Sequence, residues 1–392
     1  MIDFLAEAQS LFEYTRDLRR DFHQHPELGF REVRTAGIVT KELNALGLEV
    51  ASGIAETGVV AMIEGARPGP VVLLRFDMDA LLIEEETGAE YASQTPGVMH
   101  ACGHDGHTAI GLTVARLLHA HQAEMAGSVK LVFHPAEEGL GGAKRMVNAG
   151  VLENPRPKYA LALHLWNEKP LGWLAAASGP MMAASETFSM RLTGRGGHGA
   201  LPHHAVDPVL AAAQIITALQ GIVARNVDPV ETAVISVTNL HGGSTFNVIP
   251  PYVDLQGTIR TFKPEIRELV LRRFHETVEG IAQAFNCAVE IKIESITLAV
   301  DNDLALAEHV QSVATKMFPD ATLTTQFQTM GSEDMAYMMD DIPGCYFLVG
   351  SANSEKGLDA KHHHPKFDFD EAALPRAAAL MAAVAIDVLQ GR

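Results

Sequence analysis

Three apolar segments of this sequence end abruptly in side chains that can bind a metal ion. The segments are residues 71–76, 129–133 and 159–163, and the residues that follow them include Asp77, Asp79, Glu137, Glu138 and His164. Short, continuous apolar runs of this kind indicate buried strands. The carboxyl ends of parallel strands form the ligand crevice of an open α/β sheet, so we expect these polar side chains to meet there. The pattern predicts an α/β fold with a metal or ligand site at one edge of its sheet.

Length and composition point to a globular enzyme of more than one domain. A chain of 392 residues is longer than one hydrophobic core usually grows, and 47% hydrophobic against 20% charged residues is typical of a folded protein. The formal net charge of -18 repels phosphate backbones and anionic membranes. We therefore expect no nucleic-acid and no membrane partner. Three cysteines are too few for a disulfide framework.

The N-terminal segment does not look like a targeting signal. From Met1 to Arg20 it is typical of an amphipathic helix, without the basic start and apolar run of a signal peptide. No stretch approaches the roughly 18 apolar residues of a membrane span, and even the run over 377–384 is short. These features predict a cytoplasmic protein.

The order of predicted elements changes twice along the chain. Residues 30–178 alternate strands, such as 58–64, with helices, such as 107–120, which favours a largely parallel sheet covered by helices. After Asp301 this pattern resumes, with a helix over 304–317, a strand over 345–349 and a closing helix from Glu371. We therefore predict a discontinuous catalytic domain formed by residues 1–180 and 296–392.

The segment between these parts has a different pattern. Its predicted strands and helices follow the order β-α-β-β-α-β, which is the ferredoxin-like unit. The predicted strands cover 186–193, 232–240, 252–262 and 287–294, and the helices begin at Asp207-Pro208 and Lys263-Pro264. Residues 181–295 are therefore expected to form an inserted α+β domain.

Several side chains near the predicted strand ends are candidate metal ligands. Cys102 and His104 are separated by one residue, so both can reach one ion from an extended loop. Taken alone the pair is weak, because a lone cysteine is more often a small buried hydrophobe. Further side chains that can bind metal follow successive strands, and together they favour a metal site over a buried cysteine. His164 lies inside an apolar run, where a ring that is neither hydrogen-bonded nor ligated is costly, and a hydrogen-bonded core histidine is the main alternative. At least one of His362, His363 and His364 is expected to bind metal.

Glu137 and Glu138 suggest catalysis beside the metal. Adjacent carboxylates after a buried strand can divide the work of metal-assisted hydrolysis, because one binds the ion while its neighbour accepts a proton from the attacking water. A solvated acidic turn is the simpler alternative for this pair.

Five short motifs together resemble the M20 metallopeptidase family, specifically its amidohydrolase branch. That branch includes hippurate hydrolases, N-acyl-amino-acid amidohydrolases and the plant hydrolases of indoleacetic acid conjugates, and the resemblance covers nearly the whole chain. The motifs are Asp77-Met78-Asp79-Ala80-Leu81, His100-Ala101-Cys102-Gly103-His104-Asp105, His134-Pro135-Ala136-Glu137-Glu138-Gly139, Gly196-Gly197-His198-Gly199-Ala200 and His363-His364-Pro365.

The resemblance implies a site that holds two divalent ions. They would be manganese, zinc, nickel or cobalt, and Glu137 would be the general base. Arg75 replaces the metal-binding histidine of the wider family, so Asp77 is expected to orient ligands rather than bind metal. The implied metal ligands are Cys102, His104, Glu138, His164 and His363.

The resemblance also assigns roles to the inserted segment. It implies a zinc-exopeptidase-like catalytic domain, with 181–295 as a lid and dimerisation domain in a homodimer or higher homo-oligomer. His198 would stabilise the oxyanion in the active site of a partner subunit. Asn247 and Arg260 would bind substrate, and the guanidinium of Arg260 suits a carboxylate.

The function that follows is hydrolysis of the amide bond of N-acyl amino acids, such as hippurate-like conjugates, to a carboxylic acid and an amino acid. A dipeptidase or carboxypeptidase of the same family is the alternative within this chemistry. Two others remain open: a hydrolase with Cys102 as nucleophile, which would ignore chelators, and a non-catalytic metal-binding protein.

Overall fold

The computed structural model describes residues 2–391, which form two compact units. The first runs up to Met181 and continues with Asp301–Gln328 and from Asp334 onwards, and the second contains Met182–Val300 and Thr329–Glu333. Met1 and Arg392, which begin and end the predicted catalytic domain, lie outside the described residues.

The first unit is built on an eight-stranded sheet with strand order β1-β2-β4-β3-β5-β16-β6-β15. Strands β3, β4, β5 and β16 form its centre and run parallel to their neighbours there, whereas β1 and β2 add antiparallel pairs at one edge. The predicted mixed α/β fold with a largely parallel sheet is confirmed. The strands are β1 Glu49–Ile54, β2 Gly58–Glu64, β3 Arg67–Asp77, β4 Ala126–His134, β5 Tyr159–Pro170, β6 Trp173–Ala175, β15 Thr322–Thr324 and β16 Gly344–Ala352.

Helices cover this sheet, and α10 is largely buried. It packs on α1, α4, β3 and β5, and its apolar side chains belong to the main core. The helix α4 also packs closely, since a Cβ on Gly111 would meet the Phe76 ring at 2.7 Å. The helices are α1 Phe4–Ser10, α2 Phe12–Gln24, α3 Val33–Ala45, α4 His104–Ala120, α5 Gly142–Asn148, α8 Leu304–Met317, α9 Ala336–Met339 and α10 Ala373–Gln390.

Two expectations about helices need correction. The single N-terminal helix is two helices, because the chain turns at Leu11, whose N–H bonds the carbonyls of Glu7 and Ala8. Two helices, Pro208–Arg225 and Ala373–Gln390, are long and apolar enough to cross a membrane, although the sequence suggested that none would be. The second is 78% buried, as expected of a core helix, so length and composition are weak evidence for a membrane span here.

The central strands end at different heights, and this positions the site. In the register of β3 with β4, Asp77 lies opposite His134, whereas the pairing of β3 with β5 stops at Arg75 and Ala162. Strand β5 does not end at Leu163 as predicted, because β16 continues to pair with it as far as Pro170. His164 therefore lies on β5 two residues beyond its last residue that pairs with β3.

The second unit has a four-stranded antiparallel sheet with strand order β10-β12-β8-β13, and its main elements follow the predicted β-α-β-β-α-β order. Two helices pack on this sheet, and their buried faces join Phe188, Met190 and Leu192 in one core. The elements are β8 Ala184–Thr193, β9 Gly197–His198, α6 Pro208–Arg225, β10 Ala233–Gly242, β11 Val248–Ile249, β12 Tyr252–Thr261, α7 Pro264–Ala284 and β13 Ala288–Thr297. Two further short strands, β7 Gly179–Met182 and β14 Val300–Asn302, pair where the chain leaves and re-enters the first unit.

A fully buried arginine ties α2 to α4 and to the segment before α10. The Arg19 guanidinium donates to Asp105 at 2.8 Å, to Asp368 at 2.6 Å and to Glu371 at 3.2 Å. It also lies over the Phe369 ring, 4.3 Å from the centroid. The ion pairs therefore join segments that are far apart in sequence.

His23 adds a proton-sensitive member to this network. Its Nδ1 lies 2.8 Å from Asp105 Oδ2 and its Nε2 lies 3.4 Å from Glu85 Oε1. Burial alone would lower the pKa of His23, but the charge of Asp105 and hydrogen bonds to Asp105 and Glu85 raise it to about 9. The folded protein therefore keeps His23 protonated at neutral pH.

We expect the stability that His23 contributes to be lost as pH rises. Because its folded pKa lies above the unfolded value of about 6.5, this contribution is complete below pH 6.5 and disappears between pH 6.5 and about 9. Urea unfolding at pH 6 and pH 9.5 should show the native chain losing about 3 kcal/mol more than His23→Gln over that interval. Equal losses in both proteins would contradict this assignment.

Candidate active site

Seven of the predicted site residues come together in the first unit, and all of them except Asp77 belong to the three groups described next. Three groups of candidate ligands share members, and within each group the ligand atoms lie within 4.8 Å of one another. Cys102 is common to two groups and His104 to two, so the groups form one continuous cluster. The groups are Cys102, His104 and His164; Cys102, Glu138 and His363; and His104, Glu137 and Glu138.

Hydrogen bonds orient two of the histidines toward the cluster. His164 donates from Nδ1 to the Leu165 carbonyl at 2.7 Å, and its Nε2 lies 3.4 Å from Cys102 Sγ. His104 donates from Nδ1 to the Asp79 carbonyl at 3.0 Å. Its buried Nε2 makes no hydrogen bond among residues 2–391 and lies 3.7 Å from Asp77 Oδ2. A buried imidazole nitrogen without a hydrogen bond is costly unless a cation uses it, so this donor set fits a metal ion.

The carboxylates reach the cluster from the turn after β4. Ala136 has φ 58°, a left-handed conformation that side chains other than glycine rarely adopt, and its N–H is held by Glu32 Oε1 at 2.9 Å. Glu137 follows with 9% of its surface exposed, and Glu138 is half-buried. The strained turn therefore directs two successive carboxylates toward the ligands.

The C-terminal histidines separate into different environments. His363 Nε2 lies 3.2 Å from Glu138 Oε1. Hydrogen bonds with Cys102 and Glu138 raise the pKa of His363 to about 10. His362 instead accepts a hydrogen bond at Nε2 from the Asn167 N–H at 3.1 Å, and its Nδ1 is 3.9 Å from Cys102 Sγ. Of the two, His363 has the geometry of a ligand that shares an ion with Glu138.

Asp79 connects two candidate ligands from behind. Its Oδ1 lies 3.2 Å from His104 Nδ1, and its Oδ2 accepts the Glu138 N–H at 3.0 Å. Because both contacts come from one fully buried carboxylate, the imidazole of His104 and the backbone of Glu138 are held at a fixed position relative to each other.

Asp77 lies at the edge of the cluster, where it forms a further group with His104 and His107. Its Oδ2 accepts from Arg75 at 2.7 Å and its Oδ1 lies 2.6 Å from His107 Nδ1. His107 accepts the Leu165 N–H at Nε2, so both of its ring nitrogens are engaged. This geometry suits Asp77 to the orienting role implied by the sequence, because Arg75 and His107 take its oxygens.

The environment of Cys102 is unsuited to a free nucleophile. Burial raises the pKa of the thiol, and the nearby Glu138 carboxylate raises it further. An activated catalytic cysteine needs the opposite shift, since the thiolate is the reactive form. The alternative that makes Cys102 the nucleophile is therefore disfavoured, whereas a cation beside the sulfur would stabilise the thiolate.

The three other predicted residues lie in the second unit. His198 on β9 pairs with Val248, and the adjacent Gly199 N–H donates to the Asn247 carbonyl at 2.8 Å, so His198 and Asn247 lie close together and are exposed. Arg260 lies on β12, half-buried, with its Nε donating to Thr258 at 3.2 Å. No hydrogen bond or ion pair described between residues 182 and 300 joins Arg260 to His198 or Asn247.

Three residues beside the cluster in the first unit were not assigned a role from the sequence. Asp79 and His107 carried a weak signal, since Asp79 follows a strand end and His107 lies one turn after His104. Asp334 carried none, because it lies in a loop before α9, far from any apolar strand. Its backbone N–H donates to Glu137 Oε1 at 3.4 Å.

Comparison with known proteins agrees with this geometry. The model of peptidase family M20/M25/M40 matches residues 73–387. The chain belongs to this family. The predicted M20 resemblance is therefore confirmed, and this M20 protein is a hydrolase that acts on amide bonds.

Similar proteins span nearly the whole of this M20 chain. Amidohydrolase YhaA of Bacillus subtilis is 40% identical over 96% of this chain and 94% of its own length. IAA-amino acid hydrolase ILR1-like 4 of Arabidopsis thaliana is 39% identical over 97% of this chain and 87% of its own. The solved structure of Bacillus subtilis YXEP, described as a dinuclear metal-binding peptidase, has a TM-score of 0.85 at 34% identity and covers 97% of this chain and 99% of that one.

Proposed function

We propose that this M20 protein hydrolyses the amide bond of N-acyl amino acids, releasing a carboxylic acid and an amino acid, and that it uses two divalent ions. The observation that carries the proposal is the cluster of Glu137 with His104 and Glu138. The Glu137 carboxylate is not needed as a ligand, and it lies close to the two proposed ligands His104 and Glu138. This is the arrangement that metal-assisted hydrolysis requires.

Two overlapping ligand groups support a pair of ions. One group contains Cys102, His104 and His164, and the other contains Cys102, Glu138 and His363. When bound, divalent ions polarise the amide carbonyl and lower the pKa of an attacking water. Manganese, zinc, nickel and cobalt all suit a set of one thiolate, imidazoles and a carboxylate.

The chain's own residues supply the proton transfers and the orientation. Glu137 accepts a proton from the attacking water and returns it to the leaving nitrogen. Asp79 holds His104 and Glu138, and Asp77 holds His107 behind them.

In the homodimer that we propose, His198 of the partner subunit donates to the developing oxyanion, which is typically worth about 3 kcal/mol. Asn247 and Arg260 bind the substrate, and the Arg260 guanidinium contacts the carboxylate of the substrate. The second unit acts as the lid and dimerisation domain, and we place the protein in the cytoplasm.

Chelation is expected to lower amide hydrolysis by about a thousandfold, since several kcal/mol of charge stabilisation would be lost. The measurement is release of free amine from benzoyl, acetyl and indoleacetyl amino acids and from dipeptides, before and after chelation, with each divalent ion added back. Rescue by one ion on N-acyl substrates supports the proposal.

The other arms of this assay distinguish the alternatives. Turnover of dipeptides alone would favour the dipeptidase or carboxypeptidase. Chelator-resistant turnover that stops on alkylation of Cys102 would contradict the metal mechanism. Absence of turnover on every substrate, with metal bound, would favour a metal-binding protein without catalysis.

A further inference from the structure

The buried guanidinium of Arg75 contacts acidic groups on both sides of the site. Its Nη1 donates to Asp77 Oδ2 at 2.7 Å, and its Nη2 lies 3.4 Å from Asp334 Oδ1. Its Nε donates to His134 Nδ1 at 3.2 Å. The Arg75 side chain is inaccessible to solvent and both carboxylates are buried, so one cation neutralises two acids away from water.

The Asp334 arm of this network leads to the proposed general base. Asp334 Oδ2 accepts the Ala143 N–H at 2.8 Å and lies 3.4 Å from His134 Nε2. The Ala143 N–H thus holds the Asp334 side chain at the start of α5, and the His134 ring lies beside it at the end of β4. The Asp334 backbone N–H then donates to Glu137 Oε1 at 3.4 Å. The residue whose carboxylate Arg75 contacts therefore also donates to the proposed general base.

The Asp77 arm leads to the ligands. Asp77 Oδ1 contacts His107 Nδ1, and His107 Nε2 accepts the N–H of Leu165, the residue after His164. One planar group therefore reaches the backbone beside a proposed ligand in one direction and the Glu137 carboxylate in the other. Lysine has a single point of charge and cannot make the three divergent contacts of the guanidinium.

We propose that Arg75 is a positioning residue for hydrolysis. Through Asp334 it fixes the position of the Glu137 carboxylate, and through Asp77 it supports the proposed metal ligands, so it holds the base and the ligands in place relative to each other. The proposal rests on the proposed function, in which Glu137 is the general base. In this role Arg75 acts by holding other groups in place. Loss of its forked guanidinium group should therefore slow proton transfer more than it weakens substrate or metal binding.

The test is Arg75→Lys, which keeps the charge and removes the fork. We expect kcat to fall about a hundredfold, the effect typical of a misplacement of about 1 Å, with KM changed less than about threefold. The variant should still bind two ions per chain by elemental analysis. In a double-mutant cycle, Arg75→Lys should add little to the effect of Glu137→Gln, because both act on one proton transfer.

Asp334→Asn is the second variant, because it keeps the volume and the acceptor for Ala143 and removes the charge. It should give the same split between kcat and KM. Arg156→Lys, whose side chain is about half exposed in an ion pair with Glu153, is the matched control and should leave both constants unchanged.

Three outcomes would overturn the positioning role. These are full kcat in Arg75→Lys and Asp334→Asn, loss of metal in parallel with activity, or fully additive effects with Glu137→Gln. Failure of the proposed function looks different, because Glu137→Gln would then leave turnover unchanged or the native chain would hydrolyse no amide.

Discussion

Glu137→Gln is expected to lower kcat for N-acyl amino acid hydrolysis by about a thousandfold while both metal ions stay bound. Glutamine has the shape of glutamate and can still accept the Asp334 N–H, but it cannot take a proton from water. The proposed ligand Glu138 is unchanged. Steady-state kinetics on the best substrate, together with elemental analysis of metal per chain, measures both halves of the prediction.

Two further variants make this result specific. Glu138→Gln should lose metal as well as activity, because it removes a proposed ligand rather than a base. Glu153→Gln, at an exposed carboxylate outside the cluster, should leave kcat unchanged. Native turnover in Glu137→Gln would remove this residue from the catalytic role.

Arg19→Met is expected to lower the free energy of unfolding by about 3–5 kcal/mol. Methionine fills much of the same space, but Asp105 and Asp368 would be left buried without the guanidinium, and removing one partner of a buried ion pair leaves an uncompensated charge. Urea unfolding of the two proteins at pH 7, at one protein concentration, measures the difference.

The control for this effect is Arg16→Met, one turn earlier on the same helix. Its partners Glu13 and Asp17 are largely exposed, so the loss should stay below about 1 kcal/mol. If Arg19→Met yields too little folded protein, Arg19→Lys should show a smaller loss in the same direction. A loss below 1 kcal/mol in Arg19→Met would show that the network contributes little to stability.

Hydrophobic periodicity predicted the long elements of the fold well. The helix α8 covers the predicted residues and α6 begins where it was predicted to begin, because their apolar stripes and the caps Asp303 and Asp207 are local signals. Short strands such as β9 and β11 were not predicted, since two residues carry no period. The extension of β5 to Pro170 depends on pairing with β16, which comes almost 200 residues later and leaves no trace in the local pattern.

The cluster could be predicted where ligand types coincide with strand ends. Glu138 and His164 were recognised in this way, and the structure brings them together with Cys102, His104 and His363. Their assignment as ligands stays a prediction. The support behind them could not be found from the sequence, because an aspartate such as Asp334 is indistinguishable from a surface residue until the fold buries it beside Arg75.

The pairing of β7 with β14 has a consequence for how this chain is put together. The segment between these strands leaves through one strand and returns through another that is hydrogen-bonded to it, and neighbouring strands lie about 5 Å apart. A short connection can bridge neighbouring strands, and the entropy of closing a loop rises only slowly with its length. The intervening segment is therefore exchangeable in principle for a few residues or for a different domain, because none of the strands of the eight-stranded sheet lies within it.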